Sequence, residues 1–189
     1  MHITIKDKTR KLSYYEKRGL SQFIVEKCRT RIQDVEWLKH VLIREDGYTD
    51  YLGYWTYRYI PIDNRRTHFK TVIVLNATYL DNVDEMKAVI AHEYGHNWTC
   101  GYLLIQGRIR DKYGERAPML YYRIRRIDPK TFSGCYSKGW SKCDKEVLAE
   151  DYRCLFTPVK DNHRMQKSIG NPSSEVEDYL RRFGHPSSP

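Results

Sequence analysis

The feature that most limits what this chain can fold into is a helical segment over residues 83–100 that carries two histidines. Its apolar residues recur at steps of three and four, the spacing of one buried helix face. They are Val83, Met86, Val89, Ile90 and Trp98. Asn82 predicts the N-cap, with Glu85 three residues later, and Gly101 predicts the end of the helix. A strongly apolar stretch over 68–76 precedes it and predicts a strand.

The histidines of this helix have the spacing of a metal-binding pair. His92 and His96 are four residues apart, so they can offer imidazole nitrogens to one ion from successive turns. Glu93 cannot easily join the same coordination, but it can reach a metal-bound water. Two ligands and one general base are the arrangement of the H-E-x-x-H zinc hydrolases. We therefore expect Zn²⁺ as cofactor, the alternative being a surface helix with two solvated histidines.

A third ligand is expected from the segment over residues 144–156, which also predicts a helix. Zinc in a hydrolase takes three protein ligands and leaves one position open for water. Glu146, Glu150 and Arg153 lie at helical steps and form one polar stripe. Glu146 is the candidate ligand, and Glu150 would accept a hydrogen bond from a ligand histidine. Two alternatives stay open: Glu150 as the ligand, and an exposed face with an ion-pair network.

The remaining pattern predicts an α+β fold in one domain over 1–189, a length sufficient for one core. The expected elements are either an arm over 1–12 or a short strand at 2–5, a helix over 21–44, a hairpin of strands 51–60 and 68–76, short helices and loops over 101–142, and a last helix over 172–183. The sheet is expected to be small and either mixed or antiparallel. Residues 1–50 are expected to form a mainly helical N-terminal part, and 185–189 a frayed tail.

Composition bounds the partners and the compartment. Lys and Arg number 33 against 24 Asp and Glu, a formal net charge of +9. The segment 108–126 carries seven basic residues against two acidic ones, which favours either a solvated loop or a surface for an acidic substrate or nucleic acid; no nucleic-acid motif accompanies it. The sequence shows no signal peptide and no transmembrane stretch, so we expect a cytoplasmic protein whose five cysteines are free thiols.

Two motifs carry a family resemblance. IAHEYGH at 90–96, followed by KEVLAEDYR at 145–153, resembles the gluzincin metallopeptidases, and most closely the group that contains the anthrax lethal factor catalytic domain and the Pro-Pro endopeptidases. The resemblance covers 68–183 and implies a zincin-like fold with an active-site helix and a third-ligand helix. It implies endopeptidase activity, with Glu146 as the third ligand and Glu150 outside it.

The resemblance also implies a tyrosine that donates to the oxyanion shortly before the third ligand. Tyr136 lies ten residues before Glu146, a different spacing from the family pattern, and Tyr113, Tyr121 and Tyr122 compete with it. The substrate peptide would lie along an edge strand, expected at 69–76. Two alternative functions stay open: a basic nucleic-acid or protein binding module with a structural or vestigial metal site, and an ImmA/IrrE-like protease dedicated to one regulatory protein.

Overall fold

The computed structural model of the chain describes residues 2–28, 36–47, 49–63, 66–159 and 168–184. It has an α+β fold in which helices pack on a small mixed sheet, as the sequence predicts. The strands are β1 (Thr4–Asp7), β2 (Leu38–Arg44), β3 (Gly53–Asp63) and β4 (Arg66–Asn76). The α-helices are α1 (Tyr14–Phe23), α2 (Val83–Ile105), α3 (Met119–Arg125), α4 (Asp144–Phe156) and α5 (Ser174–Arg181).

The sheet has the strand order β1-β2-β4-β3. β1, β2 and β4 run parallel, whereas β3 and β4 form the expected antiparallel hairpin. The expectation that 69–76 is an edge strand is wrong, because β2 pairs with the side of β4 that faces away from β3, with Val41 opposite Ile73. The antiparallel edge strand beside the main helix is β3.

The N-terminal 50 residues differ most from the prediction. α1 begins after a Ser13–Glu16 capping box and continues as one π-helical stretch, Ile24–Cys28. Residues 38–44 form β2 instead of the end of a helix over 21–44, so the N-terminal part is not mainly helical. Leu38 and Leu42 have helical spacing, whereas Val41 and Ile43 have the two-residue period of a strand, and pairing with a strand on each side decides for the strand. Residues 29–35 of the predicted helix lie outside the described residues.

α2 begins as predicted, where the Asn82 side chain accepts from the Glu85 amide at 2.9 Å. It extends past the predicted end to Ile105, so Gly101 lies inside the helix. A Cβ at Gly101 would lie 2.9 Å from the Trp37 ring, so the glycine admits an aromatic side chain and does not terminate the helix. α2 packs against β3 and β4 on one side and α4 on the other.

The C-terminal half follows the predicted pattern with shifted boundaries. Between α2 and α4 lie α3 and two 3₁₀ turns, Tyr136–Lys138 and Trp140–Lys142. The N-cap of α4 is Cys143. The last helix, α5, is shorter than predicted, a 3₁₀ turn follows it to Gly184, and the predicted frayed tail lies outside the described residues. Within the described ranges, no helix combines the length and apolarity needed to cross a bilayer.

Candidate metal centre

α2 and α4 bring the three expected ligands together. Glu146 Oε2 lies 3.0 Å from His92 Nε2 and 3.1 Å from His96 Nε2. The three atoms lie within 4.8 Å of one another. The side chains of His96 and Glu146 are each 2% exposed, and that of His92 is 12% exposed. Two imidazoles and a carboxylate that converge in this way form a group able to hold a metal ion.

The close approach of the two helices depends on Gly95. A Cβ at this position would lie 2.4 Å from the Ala149 carbonyl oxygen and 2.8 Å from its Cα. Both are backbone atoms of α4, so a rotamer change could not relieve the overlap. Gly95 follows Glu93 by two residues and precedes His96, and Ala149 lies one turn after Glu146. The two small residues therefore set the distance between the histidines and the glutamate.

We expect Gly95→Ala to lower the free energy of unfolding by about 1–3 kcal/mol, because overpacking forces α4 away from α2. Zinc binding should weaken with it, since Glu146 moves with α4. Urea denaturation and zinc titration measure the two effects. Gly19→Ala is the matched control: Gly19 lies within α1 with nothing within 4 Å of an added Cβ, so its replacement should stabilise by about 0.5–1 kcal/mol. A Gly95→Ala variant as stable as wild type would contradict the packing role.

Glu150 lies behind His92 as predicted. Its Oε1 lies 2.8 Å from His92 Nδ1, and its Oε2 accepts from Arg153 Nε at 2.8 Å. A proton on Nδ1 leaves the Nε2 lone pair for a metal. Glu146, Glu150 and Arg153 are all buried, so the alternative of an exposed ion-pair face is wrong. Because Glu150 contacts the ring nitrogen that points away from His96 and Glu146, it stands outside the ligand group.

The carboxylates set the charge of the histidines. Burial lowers the pKa of His92, but hydrogen bonds with Glu146 and Glu150 outweigh it and raise the pKa to about 10. The His92 ring of the ion-free chain is therefore protonated at neutral pH, and a metal must displace the Nε2 proton. Burial lowers the pKa of His96, which keeps that ring neutral. Glu146 is buried too, but the two histidines hold its pKa well below its usual value.

Glu150→Gln should weaken zinc binding by about 10–100-fold, because it removes the charged partner that fixes the His92 ring. A competition titration with a chromophoric chelator measures the dissociation constant. Glu177→Gln, a partly exposed carboxylate on α5, is the control and should bind zinc as wild type does. Unchanged affinity in the Glu150 variant would remove this residue from the metal centre.

The second ligand histidine has a different neighbour. Cys100 Sγ lies 3.7 Å from His96 Nδ1, one turn further along α2. Burial raises the pKa of this thiol to about 12, so it stays neutral beside the ring. All five cysteines are free thiols, as expected. The sequence contains no signal for this contact beyond the four-residue spacing from His96.

Glu93 provides a second buried carboxylate beside the ligand group. It follows His92 directly on α2 and is 5% exposed. Its Oε2 is buried and has no hydrogen-bond partner among the described residues. A buried carboxylate oxygen without a partner is uncommon, because burial costs it the hydrogen bonds of water. The free oxygen can accept a proton from a molecule bound at the metal centre.

Two tyrosines reach the ligand group. Tyr136 Oη donates to Glu146 Oε1 at 2.6 Å, and it lies 2.5 Å from Tyr113 Oη. Burial, reinforced by Glu146, raises the pKa of Tyr136 far above its usual value, which keeps the phenol a donor. The competing Tyr121 and Tyr122 are buried and donate to Asp151 and Asp144.

The basic segment 108–126 is divided between the interior and the surface. Arg125 pairs with Asp151 inside the protein at 2.9 Å, and Lys112 is buried. The other five basic residues are exposed: Arg108, Arg110, Arg116, Arg123 and Arg126. Sequence reasoning assigned no individual role to Lys112, since nothing distinguishes it from the arginines around it.

Aromatic rings form two walls of the metal centre. The ring of Trp140 lies 5.7 Å from that of His92, and the ring of Trp55 on β3 lies 6.4 Å from that of His96 at 22°.

No protein-family model matches the chain, and no curated protein or solved structure is similar enough to indicate a relationship. The function is therefore inferred from the residues themselves.

Proposed function

We propose that this protein is a zinc-dependent endopeptidase with a zincin-like fold. The observation that carries the proposal is the convergence of two Nε2 atoms and a Glu146 oxygen beside Glu93, a buried carboxylate with an unpartnered oxygen. Two histidines and one glutamate are a donor set that zinc takes in hydrolases. The gluzincin-like motifs at 90–96 and 145–153 agree with this assignment.

The number of ligands favours a catalytic over a structural site. Structural zinc is usually closed by four protein ligands, whereas a catalytic ion keeps one position open. The described residues offer three ligand atoms here. Burial of the Glu93 oxygen without a hydrogen-bond partner costs folding free energy. A structural zinc site gives no reason for a carboxylate in this position, whereas a hydrolase needs a general base there.

The residues around the ligands can divide the steps of amide hydrolysis. Zinc held by His92, His96 and Glu146 would polarise the scissile carbonyl and acidify the attacking water. Glu93 takes a proton from that water and later delivers it to the leaving nitrogen. Glu150 keeps the His92 ring oriented. The Tyr136 hydroxyl stays protonated and would donate to the anionic oxygen that develops on the substrate once it releases Glu146 Oε1, to which its single proton is bonded here.

The substrate would be an extended peptide that adds to the outer edge of β3, the strand beside α2, which pairs among the described residues with β4 alone. This replaces the predicted strand at 69–76, which is covered on both sides by β2 and β3. The exposed arginines of 108–126 favour acidic side chains in the substrate, because like charges repel and opposite charges attract along the approach path.

Metal analysis combined with cleavage profiling tests the proposal. Purified protein should bind one zinc ion per chain and cut peptides of a proteome-derived library. Removal of zinc with a chelator should stop cleavage, and re-addition should restore it. A single cut in one partner protein would identify a dedicated protease. Zinc binding without any cleavage would favour the binding module with a structural metal instead.

A further inference from the structure

Lys112 is a buried cation that has no ion-pair partner within the described part of the chain. Its side chain is 6% exposed, and no carboxylate of the described residues forms a salt bridge with it. Its Nζ donates to the Trp55 backbone oxygen at 3.1 Å and lies 4.8 Å from the centre of the Tyr113 ring. The Tyr113 side chain is also a hydrogen-bond partner of the ammonium. An ammonium has three donor protons, so these two acceptors leave one proton for a further partner. Burial of a charge that is only partly paired lowers the stability of the fold, which favours a functional role for this ammonium.

Two chains of contacts connect Lys112 to the ligand group. On one side, its Nζ lies 5.3 Å from the centre of the Trp55 ring, which stacks on His96. The Trp55 indole is itself fixed, because its Nε1 donates to Asn97 on α2 at 3.1 Å. This side places the ammonium beside the helix face that carries Glu93, His96 and Cys100.

On the other side, Tyr113 connects Lys112 to the third ligand. Tyr113 Oη contacts Tyr136 Oη, which donates to Glu146 Oε1. The two chains meet at the contact between Glu146 and His96. Lys112 therefore closes a ring of contacting side chains that includes His96 and Glu146.

The hydrogen bond from Lys112 Nζ to the Trp55 carbonyl places the ammonium beside the edge of β3 to which a substrate peptide would add. The backbone N–H of Asn76 donates to the backbone oxygen of Leu52. Along an antiparallel ladder, hydrogen-bonded pairs alternate with pairs whose backbone groups point outward. The backbone groups of Gly53, Trp55 and Tyr57 therefore face away from β4. A peptide that adds to β3 would meet the Trp55 carbonyl and the ammonium beside it.

The charge of Lys112 is retained in the interior. Burial lowers its pKa, but the acidic groups around it, Tyr113 and then Glu93 and Glu146, outweigh burial and raise the pKa. A fixed positive charge in a dry site stabilises a developing negative charge more strongly than water does.

We propose that Lys112 is a further catalytic residue of this site, whose ammonium donates to the anionic oxygen of the scissile carbonyl; the proposal rests on the peptidase function above. As the water oxygen bonds to the carbonyl carbon, an electron pair moves onto the carbonyl oxygen, and Lys112 donates to it without losing its proton. When the C–N bond breaks, the pair returns to the carbonyl. The nitrogen leaves with the proton that Glu93 took from the water, and the second water proton is released as the new carboxyl group ionises.

The test compares Lys112→Met, which keeps most of the length of the side chain without its charge, with Lys112→Arg, which keeps the charge. Lys142→Met, an exposed lysine just before α4, controls for the change in net charge. All variants are loaded with zinc and assayed on a peptide found by cleavage profiling. We expect Lys112→Met to lower kcat by about 10²–10³-fold with KM nearly unchanged, the cost of losing one oxyanion donor. Zinc content should stay at wild-type level, and Lys112→Arg should recover part of kcat.

A second readout is inhibition by an anionic phosphonamidate analogue of the same peptide. Lys112→Met should weaken this inhibitor by the factor by which it lowers kcat/KM, since both report the bound anionic oxygen. The proposal is overturned if Lys112→Met keeps wild-type kcat while Glu93→Gln is inactive, if only KM rises, or if the loss of kcat follows a loss of zinc or of the folded state. Full activity in both the Lys112 and Glu93 variants would overturn both assigned roles, whereas absence of cleavage by the zinc-loaded wild type would overturn the peptidase function itself.

Discussion

Glu93→Gln is expected to lower kcat for peptide hydrolysis by about 10²–10⁴-fold, the contribution of a positioned general base. The amide has the size of the carboxylate but cannot take a proton from water at neutral pH. Zinc should remain bound at one ion per chain, because Glu93 follows a ligand and is not one. The measurement pairs steady-state kinetics with metal analysis of the same sample.

Asp84→Asn provides the control for this variant. Asp84 lies on the first turn of the same helix, and its side chain is 88% exposed, so the change removes one carboxylate from α2 far from the metal centre. It should keep wild-type kcat and zinc content. Near wild-type kcat in the Glu93 variant would show that this carboxylate is not the base.

Glu146→Gln is expected to weaken zinc binding by more than about 100-fold, beyond the range for residues that only orient a ligand. The charge that balances the ion is lost, and two histidines remain as ligands. The same substitution at Glu150 serves as the comparison, because the two residues lie one turn apart on α4 and are equally buried. Competition titration gives both dissociation constants.

The order of the two effects decides between the ligand assignments. A larger loss of zinc affinity in the Glu146 variant agrees with the contacts of its Oε2 to both Nε2 atoms. A larger loss in the Glu150 variant would make Glu150 the ligand. Far-UV circular dichroism of the ion-free proteins separates a lost ligand from a lost fold.

The candidate metal ligands were predictable because helix periodicity fixes which residues of one helix share a face. A step of four places His92 and His96 on one face, and the same step places Glu146 and Glu150 in succession along α4. What the spacing cannot show is the burial of that face. Polar residues of α4 suggest a solvated stripe, yet they are buried because partners from other elements satisfy them, as Arg125 and Tyr121 satisfy Asp151.

The N-terminal part was predicted incorrectly for a related reason. Leu38 and Leu42 satisfy helical spacing, but the partner strands on each side show that the segment is a strand. The neighbours are separated from β2 by about 30 residues in each direction of the sequence, so no local pattern contains them. The position of Lys112 could not be predicted for the same reason. Its contacts to the ligand group run through Trp55 and Tyr113, and no local sequence pattern contains them.

Hydrolysis in water enriched with ¹⁸O tests the central claim most directly. Zinc-loaded wild type and Glu93→Gln are incubated with the same peptide library, and the new C termini are analysed by mass spectrometry. Wild type should produce new C-terminal carboxylates that carry one ¹⁸O atom, and the Glu93 variant should produce almost none at equal zinc content. Absence of labelled products with wild type, or equal amounts from both proteins, would contradict a zinc peptidase that uses Glu93 as its base.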